Sequence, residues 1–191
     1  MTMSDDPTYL EGKLLVAMPS MGDPRFEKAV VFLCAHSEDG AMGLIVNKPT
    51  PEVSFYELMK QLKLRTEGAD GDVGVYFGGP VEHARGFVLH TPEYQAQDAA
   101  MIVENRFGMT STIEILCDSA AGSGPRKAIL ALGYAGWGPG QLENEIQRNG
   151  WLTCDADNAI IFDVPPREKW EAALGQLNIA PPLLSSAGGS A

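Results

Sequence analysis

The stretch Ala29-Val-Val-Phe-Leu-Cys-Ala-His-Ser-Glu-Asp-Gly-Ala-Met-Gly-Leu-Ile-Val-Asn47 decides the fold. Ala29 to Ala35 is apolar at every position. Both faces of an extended segment there would be buried, as in a central strand. Glu38-Asp39-Gly40 carries turn chemistry. Met42 to Asn47 is a second apolar run, so the whole stretch predicts a β-hairpin inside a sheet.

Further elements follow on either side. Leu14 to Met18 predicts a short strand, and Pro19 to Pro24 a loop dense in breakers. Pro49 and Pro51 close the hairpin region. Ser54-x-x-Glu57 is a capping box, with Phe55, Leu58, Met59 and Leu62 behind it as one buried helical stripe. Thr66 to Asp72 reads as a polar loop. Val73 to Phe77 predicts a strand ending in Gly78-Gly79-Pro80. Gly86 to His90 predicts another, with Phe87 and Leu89 on one face and Val88 and His90 on the other. Met101 to Val103 predicts an edge strand.

Ser111-x-x-Glu114 is a second capping box, with Ile113, Leu116, Cys117 and Ala120 at helical spacing. Lys127 to Leu132 predicts a strand, followed by a glycine-rich loop, Gly133 to Gly140. Pro139 then opens a helix carrying Leu142 and Ile146, closed by Asn149-Gly150. Ala159 to Phe162 fits either a strand or a short helical turn. Pro165-Pro166 starts a last helix with Trp170, Ala173, Leu174 and Leu177. Hairpins come first and αβ units later. The expected class is therefore α+β: a compact mixed sheet, or sheets, of hairpins and αβ units with about four helices packed on them. Residues 1–10 are expected to be a flexible arm, 11–178 a single domain and 179–191 a disordered tail.

Charge and cysteine content limit the function classes. Fourteen Lys and Arg against 25 Asp and Glu leave a net charge of −11. The densest basic group is only Lys60, Lys63 and Arg65. Direct nucleic-acid binding, which rests on basic groups displacing counterions, is disfavoured, as is an anionic membrane surface. Cys34, Cys117 and Cys154 are odd in number and far apart, with no C-x-x-C. That argues against a disulfide framework and fits a reducing compartment. The opening MTMSDDPTYLEGK is acidic and lacks an apolar leader core, and no apolar run is long enough to span a bilayer. Cytoplasmic localisation is expected.

Five segments together resemble the AlgH/YqgE family: Leu10-Glu-Gly-Lys-Leu-Leu-Val-Ala-Met-Pro19, Asp39-Gly-Ala-Met-Gly-Leu-Ile-Val-Asn47, Gly78-Gly-Pro-Val81, Phe87-Val-Leu-His-Thr91 and Gly133-Tyr-Ala-Gly-Trp-Gly-Pro-Gly-Gln-Leu142. With Trp151-Leu152 and Trp170-Glu-Ala-Ala-Leu174, the likeness spans residues 10–178. The resemblance implies a compact mixed α/β fold and a cytosolic bacterial protein. For some members a regulatory role in polysaccharide production is suggested. The resemblance thus implies a regulator or adaptor, including transcriptional regulation without direct DNA contact, and it supplies no catalytic mechanism.

The chemistry-bearing positions are few. The Gly133–Gly140 loop leads into a helix whose first amides could meet a ligand. Gly136, Trp137, Gly138 and Gln141 would line such a site, Trp137 by stacking and Gln141 by hydrogen bonding. Gly78, Gly79 and Pro80 would form a second wall of the same cleft. The alternative for each is a tight structural turn. His90 is a candidate acid–base group for an enzyme acting on a nucleotide or phosphorylated metabolite. Cys34 is a candidate redox-sensing thiol, with burial as a small hydrophobe as its plain alternative. The histidines show no ligand spacing, so neither a metal nor a cofactor is expected. The expected partner is a small ligand or another protein, and a homodimer is compatible with the sequence.

Overall fold

The computed structural model describes residues 9–65, 73–94 and 100–179. Most of the expected arm (residues 1–8), the polar loop at 66–72 and the tail from 180 lie outside the described residues. Among the described residues there are nine strands: β1 (Lys13–Ala17), β2 (Val30–Ser37), β3 (Gly40–Ile45), β4 (Gly74–Phe77), β5 (Val81–His90), β6 (Ala100–Val103), β7 (Phe107–Thr110), β8 (Ala128–Trp137) and β9 (Trp151–Asp155). The helices are α1 (Phe55–Gln61), α2 (Ile113–Ala121), α3 (Gln141–Gln147) and α4 (Lys169–Gln176), with a π-helical turn at Ala159–Asp163. The class is α+β.

Across the sheet the order is β6-β7-β5-β8-β3-β2-β1-β9, and β4 branches from β8. Every pairing is antiparallel except β4 with β8. The expected hairpin is β2–β3, and β2 lies between two neighbours with Val30 to Cys34 fully buried. Its alternate side chains serve two cores. Val30, Phe32 and Cys34 face a central core with Leu14, Leu44, Leu89 and Trp170, covered by α4. Val31 and Leu33 face Ile45, Trp137, Leu142 and Trp151 beneath α3. A third cluster, including Phe55, Met59, Ile115, Leu116 and Leu130, packs α1 and α2 onto the half of the sheet around β5 and β8. Phe87 and Leu89 share the central core, while Val88 points to this third cluster.

Strand β8 organises the whole. Its first half pairs with β4 at Ile129–Leu132, and its second half pairs with β3 at Ala135–Trp137. Strand β5 runs along its other side. Gly78 sits where the two halves diverge. Its N–H donates to the Leu132 carbonyl at 2.8 Å, and its carbonyl accepts from the Ile45 N–H at 2.9 Å. Gly133 adopts φ +77°, which a glycine tolerates without penalty. A side chain there would press on the Gly79 carbonyl oxygen at 2.5 Å.

The expected glycine loop over 133–140 is therefore largely strand. Gly133 to Trp137 continues β8, and only Gly138 to Gly140 turns the chain. Strands β7 and β9 also arise from segments without a strand reading. Ser54 caps α1 as expected, its hydroxyl accepting from the Glu57 N–H at 3.1 Å. Leu62, expected on the buried stripe, is 41% exposed at the end of that helix. The second capping box does not form. Thr112 occupies the cap without a side-chain hydrogen bond, and the buried face of α2 is Ile115, Leu116 and Ala120. Ile113 and Cys117, expected on that face, are exposed.

Lys169 breaks the usual rule for its residue type. It is 1% exposed, and its Nζ donates to the carbonyls of Val46 at 2.8 Å and Ile161 at 2.5 Å. It also lies 4.7 Å from the Tyr76 ring centroid. Burial lowers its pKa from 10.5 to about 8. Between these values the unfolded chain binds a proton that the folded protein has lost, so stability rises with pH across the window. The expected rise is roughly 3 kcal/mol. Urea unfolding at several pH values should show it in the parent protein and not in Lys169→Met; parallel slopes in the two would contradict it.

Candidate functional site

The connection between β1 and β2 builds one wall of the site. It makes two short 3-10 turns, Pro19–Met21 and Pro24–Phe26. Asp23 caps the second turn, accepting from the Arg25 N–H at 3.0 Å. The same carboxylate accepts from the Arg25 guanidinium, from Nη2 at 2.7 Å and from Nε at 3.1 Å. This side-chain pairing is the main reason the Asp23 pKa falls below, and the Arg25 pKa rises above, its ordinary value. Both groups face solvent, so the pair fixes orientation more than it adds stability.

The floor is aromatic. Phe26 meets Trp151 edge-on at 5.7 Å, and Trp151 meets Trp137 edge-on at 6.0 Å. Glu145 on α3 locks the two indoles. Its Oε1 accepts from Trp137 Nε1 at 3.1 Å and from Trp151 Nε1 at 3.0 Å, and its Oε2 accepts from Gln141 Nε2 at 2.9 Å. Gln141 in turn accepts from the Gly138 N–H through Oε1 at 2.9 Å. The turn into α3 is thus tied to the helix by its own side chains.

These groups surround an open cleft of about 650 Å³. One side is Met21, Asp23, Arg25 and Phe26; another is Pro80 and Val81. The remainder comes from the β8–α3 corner and the end of α3: Gly136, Trp137, Gln141, Glu145, Arg148 and Gly150. A second hollow of about 460 Å³ shares Met21 and Asp23 with it and is floored by Trp170.

Of the residues singled out from the sequence, Pro80, Gly136, Trp137 and Gln141 meet in the first cleft. Gly78 and Gly79 lie behind it, pressed against the backbone of β8 at Gly133 and Tyr134. Gly138 is at the corner, its amide taken by Gln141. The Gln141 N–H donates to the Gly138 carbonyl at 3.1 Å. Two amides expected to meet a ligand are therefore engaged within the protein, and side chains dominate the cleft instead.

His90 is elsewhere. It is fully buried at the end of β5, with Nδ1 at 2.8 Å from the Thr91 carbonyl and Nε2 at 2.9 Å from Thr110 Oγ1. Burial lowers its pKa. It is not among the lining residues of the cleft, so the expected pairing of His90 with Gly136–Gln141 is not made. Cys34 is 1% exposed in the central core, and burial pushes its thiol strongly upward, away from the reactive thiolate. Among the described residues no group of three or more His, Cys, Asp or Glu could hold a metal ion. No described helix is long and apolar enough to cross a membrane.

Arg25, Phe26, Glu145 and Arg148 were not read as site residues from the sequence. A partial signal existed for Arg25, since Asp23-Pro24-Arg25 has the form of a capped turn that can pair its own ends. Nothing local marks Glu145, because its role depends on two tryptophans brought together by the sheet.

The AlgH-like family model matches residues 14–182. The chain belongs to the AlgH-like family. A UPF0301 protein of Jannaschia sp. is 54% identical over 192 residues, covering all of both chains. One from Ruegeria pomeroyi is 55% identical, covering 95% of this chain and 99% of the relative. The solution structure of the AlgH protein from Pseudomonas aeruginosa superposes with a TM-score of 0.78 at 41% identity, over 100% of this chain and 98% of that one. A crystal structure of a Corynebacterium diphtheriae protein has a TM-score of 0.70 at 22% identity, over 90% of this chain and 87% of that one. This last likeness concerns the fold alone. In family terms, the segments that carried the resemblance supply β1, the turn into β3 with β3 itself, the Gly78 junction, the end of β5 and the β8–α3 corner.

Proposed function

We propose that this AlgH-like protein is a binding protein of regulatory or adaptor type, and that it works by taking a small ligand into the cleft between Asp23–Phe26, Pro80–Val81 and the β8–α3 corner. The observation that carries this reading is convergence. Residues from three separated stretches of chain form one open cavity of a size typical for small-molecule sites. The floor supports it further, since Glu145 fixes Trp137 and Trp151 in place before any guest arrives. A partner protein would then read the bound state. An enzymatic use of the cleft would need an acid–base group other than His90, and thiol sensing would need Cys34 to leave the core.

Gln141 offers a direct test. It is exposed, and its side chain lines the cleft between the Gly138 amide and the Glu145 carboxylate. Gln141→Trp should fold and fill the cleft. In a thermal-shift screen of bacterial metabolites, at least one compound is expected to stabilise the parent protein. A ligand at about a hundred times its Kd adds ~2.7 kcal/mol, a shift of several degrees. Gln141→Trp should not respond to that compound. An equal response in the variant, or a screen without hits, would overturn the proposal.

A further inference from the structure

We infer that the ligand of this cleft is a planar aromatic anion: a flat ring carrying a carboxylate or phosphate. This rests on the reading of the cleft as a binding site and adds the chemistry of its guest. Four ionisable side chains line the cavity: Asp23, Arg25, Glu145 and Arg148. Their formal charges cancel, but their partners are unequal. The Glu145 carboxylate already accepts three N–H groups, from Trp137, Trp151 and Gln141. The Asp23 carboxylate is held by Arg25. Neither acid is left to attract a cation.

The basic side differs. Arg25 gives Asp23 only Nε and Nη2, which leaves Nη1 with no hydrogen bond among the described residues. The Arg148 guanidinium is exposed and makes no hydrogen bond or ion pair among the described residues. Among the described residues, the hydrogen-bonding capacity left free in the cleft therefore lies on the guanidinium groups, on a protein whose net charge is −11. Guanidinium groups favour carboxylate and phosphate oxygens, which they can grip with paired N–H donors. Beside them, Phe26 and Trp137 present aromatic surface to the same cavity. A flat apolar ring uses that surface, and its acidic group reaches the guanidinium side.

Two matched probe pairs separate ring from charge. Indole-3-acetate and tryptamine share an indole; AMP and adenosine share a purine. Calorimetric titration of the full-length chain should give at least a ten-fold lower Kd for the anion of each pair, falling as salt rises. If only indole-3-acetate follows this pattern the acid is a carboxylate; if only AMP does, it is a phosphate. Arg148→Glu should remove the preference, and Arg148→Lys should restore most of it. Gln141→Trp should abolish binding of the preferred anion, which places it in this cleft. Equal affinities within each pair, tighter binding of tryptamine or adenosine than of its anionic mate, no binding by any probe, or an unchanged preference in Arg148→Glu would each overturn the inference. The cleft reading itself would survive such a failure if a neutral or cationic metabolite stabilised the parent protein but not Gln141→Trp.

Discussion

Gly79→Ala is expected to be the most damaging single substitution in the domain. A Cβ at residue 79 would overlap the carbonyl carbon and oxygen of Tyr134 and the amide of Ala135, all backbone atoms of the central strand β8. These atoms cannot yield, because β8 is held by β5 on one side and by β4 and β3 on the other. Gly79 also adopts φ +155°, a region L side chains rarely occupy. Overpacking against backbone and strained φ add, for a loss of about 4 kcal/mol. For a chain of this length that lowers Tm by roughly 10 °C. Gly136→Ala, on β8 itself but meeting only the Tyr134 ring at an ordinary 3.6 Å, should change Tm by only a degree or two. Equal melting of the two variants would show that the contact between the Gly78–Gly79 segment and β8 is not the tight junction described.

Glu145→Leu is expected to cost about 3 kcal/mol. It leaves two indole N–H groups without their acceptor, on tryptophans that are 7% and 1% exposed. A buried donor left unpaired costs about 1–3 kcal/mol, and here two lose the same partner. Glu145→Gln keeps one carbonyl oxygen within reach of both indoles and should lose about 1 kcal/mol. Urea unfolding measures both variants. The Leu variant should also show altered near-ultraviolet circular dichroism from the released Trp137–Trp151 pair. If the Leu and Gln variants prove equally stable, the carboxylate does not organise the aromatic floor.

Much of the architecture was legible where local chemistry and burial agree. The β2–β3 hairpin announces itself through an unbroken apolar run and a turn, and Ser54 caps α1 as its spacing predicts. Legibility fails where distant contacts override local preference. Gly133 to Trp137 reads as loop because glycine weakens strands, yet here the glycines let the chain from Gly78 to Val81 lie directly against β8. Lys169 carries no local mark of burial, since lysine is by type a surface residue. It is buried because two backbone carbonyls and a tyrosine ring meet its ammonium inside the fold. On α2, the helix starts one residue later than the Ser111 capping box implies, and Ile115 takes the place expected for Cys117 in the core.

The site divides along the same line. Trp137 and Gln141 were recognisable because a strand, a glycine-rich corner and a helix start leave few places for such side chains to go. The guanidinium wall was not, since Arg25 and Arg148 are 123 residues apart in the chain and only the sheet brings them to one cavity. At the helix start, the natural expectation for holding an anion, the Gly138 N–H is taken by the Gln141 side chain and the Gln141 N–H by the Gly138 carbonyl; in the proposed binding mode the basic side chains offer that chemistry instead.

The most direct test of the cleft is the behaviour of the three indole N–H resonances. They can be followed in a ¹⁵N–¹H spectrum as the protein is titrated with the strongest compound from the metabolite screen. The Trp137 and Trp151 signals, both hydrogen-bonded to Glu145 beneath the cleft, are expected to move together with the Gly136 amide, while Trp170 in the neighbouring hollow stays in place. Movement of Trp170 with the other two unchanged would contradict the assignment and transfer the binding role to the second hollow.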